Sequence, residues 1–375
     1  MSALHTVNVD LKGHAYSIHM GQNLLRQIPQ FIPFDLKDRR LFILTDETVS
    51  NPHAIAVFAT LKACAPETLQ MLALPAGEQS KSFVQLERVM GWLLDHGVDR
   101  RSVLFAVGGG VVGDIGGLAA ALALRGISCV QIPTTLLAQV DSAVGGKTAI
   151  NMPQGKNLVG VFYQPAAVIC DLDTLETLPR RQLLAGYAEV LKYALIGDPE
   201  FFIWLERQAP AILAREPQAL AKAIETSCRK KAEIVERDEK EQGNLRALLN
   251  FGHTFGHALE AATHYDGRLL HGEGVAIGMV MAMQLSCRLG HCPQEDVDRV
   301  EHHLSAAGLP TRAAMIFPPL ECGAAGILKH MKRDKKALGE NLVFILARGI
   351  GKACVLRDVP FDDVQEVITH SMKEI

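Results

Sequence analysis

The sequence lacks the marks of several whole classes of protein. None of its eight cysteines, scattered from Cys64 to Cys354, forms a C-x-x-C pair. This argues against a cysteine–zinc site or a disulfide framework, and for reduced thiols in a cytoplasmic protein. A formal charge of -3 leaves no basic stripe for nucleic acid and no polybasic membrane anchor. No apolar run approaches membrane-spanning length, and "GLAAALAL" at 117–124 is much too short. The opening "MSALHTVNVDLKGHAYSIHM" has no apolar signal core. Internal repeats, low-complexity tracts and long linkers are missing as well. What remains is an ordinary globular composition, 48% hydrophobic and 21% charged, with 375 residues enough for two domains.

The two halves read differently. Up to about residue 180, short apolar runs such as "RLFILTD", "SVLFAVGGG", "CVQIPTT" and "AAVICDLD" alternate with helical text. Each ends in Gly, Pro, Thr or Asp, so each strand opens into a loop at its carboxyl end. The pattern predicts a Rossmann-like parallel sheet flanked by helices over 1–182, with "HTVNVDLKGHAYSIHMG" as a hairpin on its edge. Residues 183–375 read as an all-α domain, interrupted by one strand-like pair in "NLVFILARGIGKACVLRD". The cleft between the two domains is the default site.

The stretch "VLFAVGGGVVGDIGGLAAAL" (103–122) reads as a buried strand, a glycine turn and an Ala-rich helix. Gly108, Gly110 and Gly113 satisfy G-x-G-x-x-G, which lets backbone approach a pyrophosphate at a helix amino terminus. Tight-turn glycines are the competing reading. The acid expected about 20 residues on is missing, and acids appear instead as Asp46 and Glu47 after an earlier strand. A dinucleotide outside the standard arrangement is the inference. Further on, "PTTLLAQVDSAVGGKTAINMPQGKNLVG" (133–160) sets Thr134, Thr135, Asp141, Lys147, Lys156 and Asn157 in glycine-punctuated loop text. This suits phosphate or carboxylate contacts, against a merely solvated loop. It is no P-loop, because Asp141 stands where that motif needs Gly.

In "GYAEVLKYALI" (186–196), Glu189 and Lys192 stand three apart in apolar helical text, where charge is costly and so informative. "LLNFGHTFGHALE" (248–260) places His253 and His257 on one helical face, with Gly252 and Gly256 exposing backbone as if something must come close. A lone core histidine would be the bland reading; a pair on one face brings a metal or catalytic role level with it. "LLHGEGVAIGM" adds His271. Glu189, His253, His257 and His271 together suit a catalytic zinc with an open position. A metalloprotease fits poorly, since no Glu lies between the histidines of "HTFGH".

Taken in order, "GGGVVGD", "PTTLLAQVDSAVGGKTAIN", "AEVLKY", "LRALLNFGHTFGHALE", "LHGE" and "MKRDKK" resemble the 3-dehydroquinate synthases, a family of sugar-phosphate cyclases. The resemblance runs from about residue 40 to residue 336. It implies an NAD- and zinc-dependent enzyme of the shikimate pathway that releases phosphate from a sugar phosphate, with cobalt able to replace zinc. The family's metal ligands fall on Glu189, His253 and His271, leaving His257 to contact substrate or handle protons. Its NAD contacts fall on Asp46, Glu78, Lys81, Gly109, Gly110, Asp114, Thr134, Thr135, Lys147, Lys156, Thr174, Leu175, Glu176 and Thr177. Its substrate contacts fall on Arg125, Asp141, Lys147, Asn157, Lys192, Lys231, Arg246, Asn250 and a lysine of "DKK", Lys335 or Lys336. The segment "DEKEQGNLRALLN" is one residue longer than the family's usual spacing, so the acid of that loop falls on Glu241, with Glu239 as the alternative.

Arg125 follows the helix after the glycine turn, at the amino ends of the strands, where it cannot reach a ligand at their carboxyl ends. As a phosphate contact it must serve a neighbouring subunit, which implies a homodimer. Two rivals stay in play: a metal-dependent polyol or alcohol dehydrogenase, and a noncatalytic binding module on the same fold.

Overall fold

The computed structural model describes residues 4–241, 243, 245–337 and 343–373, and only the backbone path within 332–337. The chain forms two compact units, Met1–Pro179 with Arg215–Lys240, and Arg180–Ala214 with Glu241–Ile375.

The first unit is built on strands β1 (His5–Leu11), β2 (His14–Gly21), β3 (Arg40–Asp46), β4 (Thr68–Leu74), β5 (Val103–Gly108), β6 (Ser128–Pro133), β7 (Lys147–Met152), β8 (Gly155–Phe162) and β9 (Ala167–Asp171). Seven of them make one sheet in the order β1-β2-β9-β6-β5-β3-β4. Every pairing is parallel except the β1–β2 hairpin at the edge, as its sequence predicts. Alternate residues feed opposite cores: Leu41, Ile43, Val103 and Phe105 lie on one face, Phe42, Leu44, Leu104 and Ala106 on the other. Burial on both faces explains why these strands read as continuous apolar runs. Helices α1 (Ile55–Lys62), α2 (Phe83–Asp95) and α3 (Gly110–Leu122) connect the strands.

The second unit contains α4 (Arg180–Gly197) and α5 (Pro199–Leu213), after which α6 (Pro217–Arg237) returns to the first unit. A single division after residue 182 would leave α6 with the second unit. It packs instead on β1, β2 and the turn Ala138–Ser142, because Leu220, Ile224 and Val235 form a buried stripe facing that edge. The second unit resumes with α7 (His253–Ala262), α8 (His271–Arg288), α9 (Gln294–Ala307), α10 (Ala324–Ala337) and α11 (Phe361–Ser371). It is not purely helical, since β10 (Phe344–Ala347) and β11 (Ala353–Leu356) form an antiparallel ribbon.

Two segments depart from their sequence reading. The loop text of 133–160 contains the β7–β8 hairpin, in which Gly160 crosses so near Thr148 that a Cβ would sit 2.0 Å from its carbonyl oxygen. The polar residues of "GGKTAIN" hide the alternation of Thr148 and Ile150, which packs against α3. The helix read over 248–260 breaks at Gly252, whose φ of 80° only glycine adopts readily.

Candidate active site

In the large sheet the chain steps outward from β3 to β4 and then back past β3 to β5, so the topology switches between β3 and β5. Ligands of open parallel sheets bind beyond the strand ends at such a switch. Asp46 closes β3, where its carboxylate accepts from the backbone of Thr48 and Val49. Gly109 caps α3, whose first-turn N–H groups favour an anion. Gly109 and Gly110 have Thr135 and Ser142 so near that a Cβ would crowd them. Part of the glycine signal has another cause: Gly113, Gly116 and Gly117 let α3 lie against Gln131, Ala106 and Thr148.

Around this turn, buried Lys81 bridges Asp114 at 2.6 Å and the side-chain oxygen of Asn157. Burial pushes the Asp114 carboxyl up, and Lys81 pulls against it. Asn151 ties the group together, donating to Glu78 at 2.7 Å and accepting from the Asn157 backbone at 2.9 Å. The Thr134 hydroxyl is buried and has no partner among the described residues, while Thr135 caps the next turn by accepting from Ala138. The 3-10 segment Leu172–Thr177 buries Thr174 and Leu175 and exposes Glu176 and Thr177. On α6, Lys231 donates to both the carbonyl and the carboxylate of Asp141, at 2.6 and 2.7 Å. Lys147 is exposed at the head of β7, Lys156 is half-buried on β8, and Arg125 is exposed in the turn Ala123–Arg125.

In the second unit, Glu189 is wholly buried on α4, and His253 and His271 are the first residues of α7 and α8. Glycine backbones set these helices together. A Cβ on Gly272 would lie 1.9 Å from the Ala185 carbonyl, one turn before Glu189, and one on Gly278 would lie 2.0 Å from that of Gly252. The close approach suggested by Gly252 and Gly256 is therefore to α8. Glu189 Oε1 stands 3.5 Å from Nε2 of both His253 and His271, and Glu189 Oε2 stands 2.5 Å from the Lys192 ammonium.

Those 3.5 Å separations are long for hydrogen bonds. They match the edge of a tetrahedron around an ion with ligand bonds near 2.1 Å, roughly 3.4 Å. One carboxylate and two imidazoles suit zinc or a similar divalent ion and leave a position open. A second grouping, His257, Glu260 and His271, is also close enough to hold a metal. Its Glu260–His271 separation of 3.0 Å, however, is that of a hydrogen bond. Burial takes the His253 pKa down to about 3, with Glu189 opposing. At His271 burial acts the same way, but Glu260 and Glu189 outweigh it and raise the pKa to about 10.

His257 is exposed one turn beyond buried His253, the rings 5.3 Å apart. Arg246 is buried, and Asn250 and Glu241 are exposed. Glu239 accepts from Gln164 at 3.1 Å. The side chains of Lys335 and Lys336 lie outside the described residues. Sequence reading passed over Glu260, Asn151 and Gly272. Only a buried acid one turn past His257 hinted at the first.

Profiles of the N-terminal and C-terminal regions of 3-dehydroquinate synthase match residues 71–185 and 186–337. The 3-dehydroquinate synthase of Roseobacter denitrificans is 52% identical over 370 residues, 99% of each chain. The chain belongs to the 3-dehydroquinate synthase family. Solved relatives of this synthase family include 2-deoxy-scyllo-inosose synthase complexed with carbaglucose-6-phosphate, NAD+ and Co2+. That structure has a TM-score of 0.87 and 28% identity, over 98% of this chain and 100% of that one. Another is 2-epi-5-epi-valiolone synthase of Streptomyces hygroscopicus with NAD+ and Zn2+, with a TM-score of 0.85 and 28% identity, over 99% and 98%.

Proposed function

We propose that the chain is a phosphate-eliminating lyase of the shikimate pathway in the cytoplasm. It converts 3-deoxy-D-arabino-heptulosonate 7-phosphate to 3-dehydroquinate and phosphate, toward the aromatic amino acids. The observation that carries this reading is the Glu189–His253–His271 cluster in a chain about half identical, across its length, to a 3-dehydroquinate synthase. A making of inosose or valiolone fits less well, because those cyclases are only 28% identical.

Glu189, His253 and His271 would hold zinc, or cobalt in its place, and the β5–α3 turn with Asp46, Glu78, Lys81, Asp114, Thr134, Thr135 and Lys156 would hold NAD. Bound there, the cation lowers the pKa of hydroxyls it touches, and NAD serves as a hydride acceptor that ends the cycle unchanged. The α3 amino terminus and Lys156 would supply donors to its pyrophosphate. We assign the phosphate and carboxylate of the substrate to Lys147 and Lys231 of the first unit, with Asp141 fixing the Lys231 ammonium, and to Arg246 and Asn250 of the second. Exposed His257, beside the buried cluster, carries a proton to or from substrate oxygen.

Arg125 serves a second copy of the chain. Leu124 and Arg125 both hold left-handed backbone, with φ of 50° and 68°, which costs about 1–3 kcal/mol per residue. Tyr163 at the end of β8 packs on Gly126 and donates to the Ile127 carbonyl. Leu122, Leu124, Val161 and Phe162 are exposed about this turn, an apolar surface that a homodimer would cover.

The assay follows phosphate release and NADH absorbance together. Phosphate without net NADH is expected. Net NADH would instead mark a dehydrogenase, and neither signal would leave a binding module.

A further inference from the structure

We infer that Glu260 is a positioning residue that fixes the ring of His271 for metal binding. The inference rests on the metal site proposed above. Glu260 is buried at 3% exposure on α7, and its Oε2 lies 3.0 Å from His271 Nδ1. An ionised carboxylate only accepts, so Nδ1 holds its hydrogen toward Glu260, and when a metal ion displaces the ring's other proton it is Nε2 that offers the lone pair. That nitrogen is the one 3.5 Å from Glu189. Without Glu260 the ring could turn over or carry its hydrogen on the ligating side.

The backbone holds Glu260 for this role. Thr263, also buried, donates its hydroxyl to the Glu260 carbonyl at 2.9 Å. Across the helix pair, Glu260 packs on Gly274 of α8, where a Cβ would lie 3.6 Å from its Cγ, an ordinary contact. The other imidazole is anchored differently. His253 Nδ1 lies 3.2 Å from the Phe251 carbonyl, a neutral acceptor. The two ligands are thus oriented by unlike partners, and the charged one makes His271 the more basic donor.

The test titrates metal-free protein with Zn2+ against a competing chelator, and reads the visible absorption of the Co2+ form. Glu260→Gln should bind zinc about 10-fold more weakly, and Glu260→Ala up to about 100-fold, each variant being shown to be folded in its metal-free form. If Glu260→Ala does not fold, the isosteric Gln variant decides. Wild-type affinity in both Glu260 variants would overturn the inference. So would a loss as complete as in Glu189→Gln with a cobalt spectrum lacking one ligand, which would make Glu260 a ligand itself. Should Glu189→Gln and His253→Ala also keep zinc, the metal site itself is misplaced, and Glu260 is not what failed.

Discussion

The two units build their polar sites by opposite means. In the first, charges sit on separate turns and helices and pair two by two: Lys81 with Asp114, Lys231 with Asp141. Each pair could be lost while the others stayed. In the second, the acid lies inside a buried helix, and its two histidines open helices locked by glycine contacts: Gly278 of α8 against Gly252 before α7, and Gly272 of α8 against Ala185 of the acid's own helix. A site assembled from turns should fail by degrees, and in parts that another copy can supply. A site locked into helix contacts should fail as a whole.

The largest effect belongs to the helical cluster. Removing metal with EDTA should abolish turnover, and zinc or cobalt should restore it, since three protein ligands leave the ion exchangeable. Glu189→Gln and His271→Ala should lose bound metal and activity together. Full turnover by metal-free protein, checked by elemental analysis, would break the comparison at its root.

Next comes the division of labour along α7. His253 and His257 are four residues apart, yet one is buried at 8% exposure and the other is open. His257→Ala should keep the metal and lower kcat about 10²- to 10⁴-fold, the usual range for a general acid or base. His253→Ala should lose the metal. Equal loss of zinc from the two variants would make them one functional unit.

The first unit can be probed through its separable parts. Arg125→Ala and Lys147→Ala should each be nearly inactive alone. After remixing, half the dimers should be mixed, each with one intact site, so activity should recover to about a quarter of wild type. No recovery in a mixture proven to exchange subunits would return Arg125 to its own subunit or remove it from catalysis.

Much of this was legible in the sequence, for physical reasons that also mark the limits. The β5 run and its glycine turn were readable because both sheet faces are buried and the turn must approach closely. Glu189 stood out because a carboxylate in "YAEVLKYAL" has no other good reason to be buried. Local pattern could not show that α6 leaves its neighbours to cover the β1–β2 edge, since that choice is tertiary. Nor could it find Glu260, eleven residues from His271, because a buried acid in a helix has no sequence-local sign of the ring it meets.

The smallest effect tests stability in the helical unit away from the cluster. His303 on α9 is buried, and its Nε2 lies 2.8 Å from the Tyr187 hydroxyl on α4. Burial takes its pKa down to about 4, with Glu206 pulling weakly the other way. The ordinary value is 6.5, so above that pH the ring is neutral in both folded and unfolded chains, and the pair contributes fully. As pH falls from 6.5 toward 4, the unfolded chain binds a proton that the folded one refuses, and stability drops; below about 4 the loss levels off. The limit is on the order of 3 kcal/mol by linkage. His303→Gln removes this titration, so thermal melts of wild type and variant should diverge in slope between those two pH values. The comparison cancels titrations the two proteins share, including those of the metal cluster, whose His271 opens the preceding helix. Parallel curves would mean that His303 takes up its proton without disturbing the fold, and that burial in this unit is less strict than the Glu189 cluster requires.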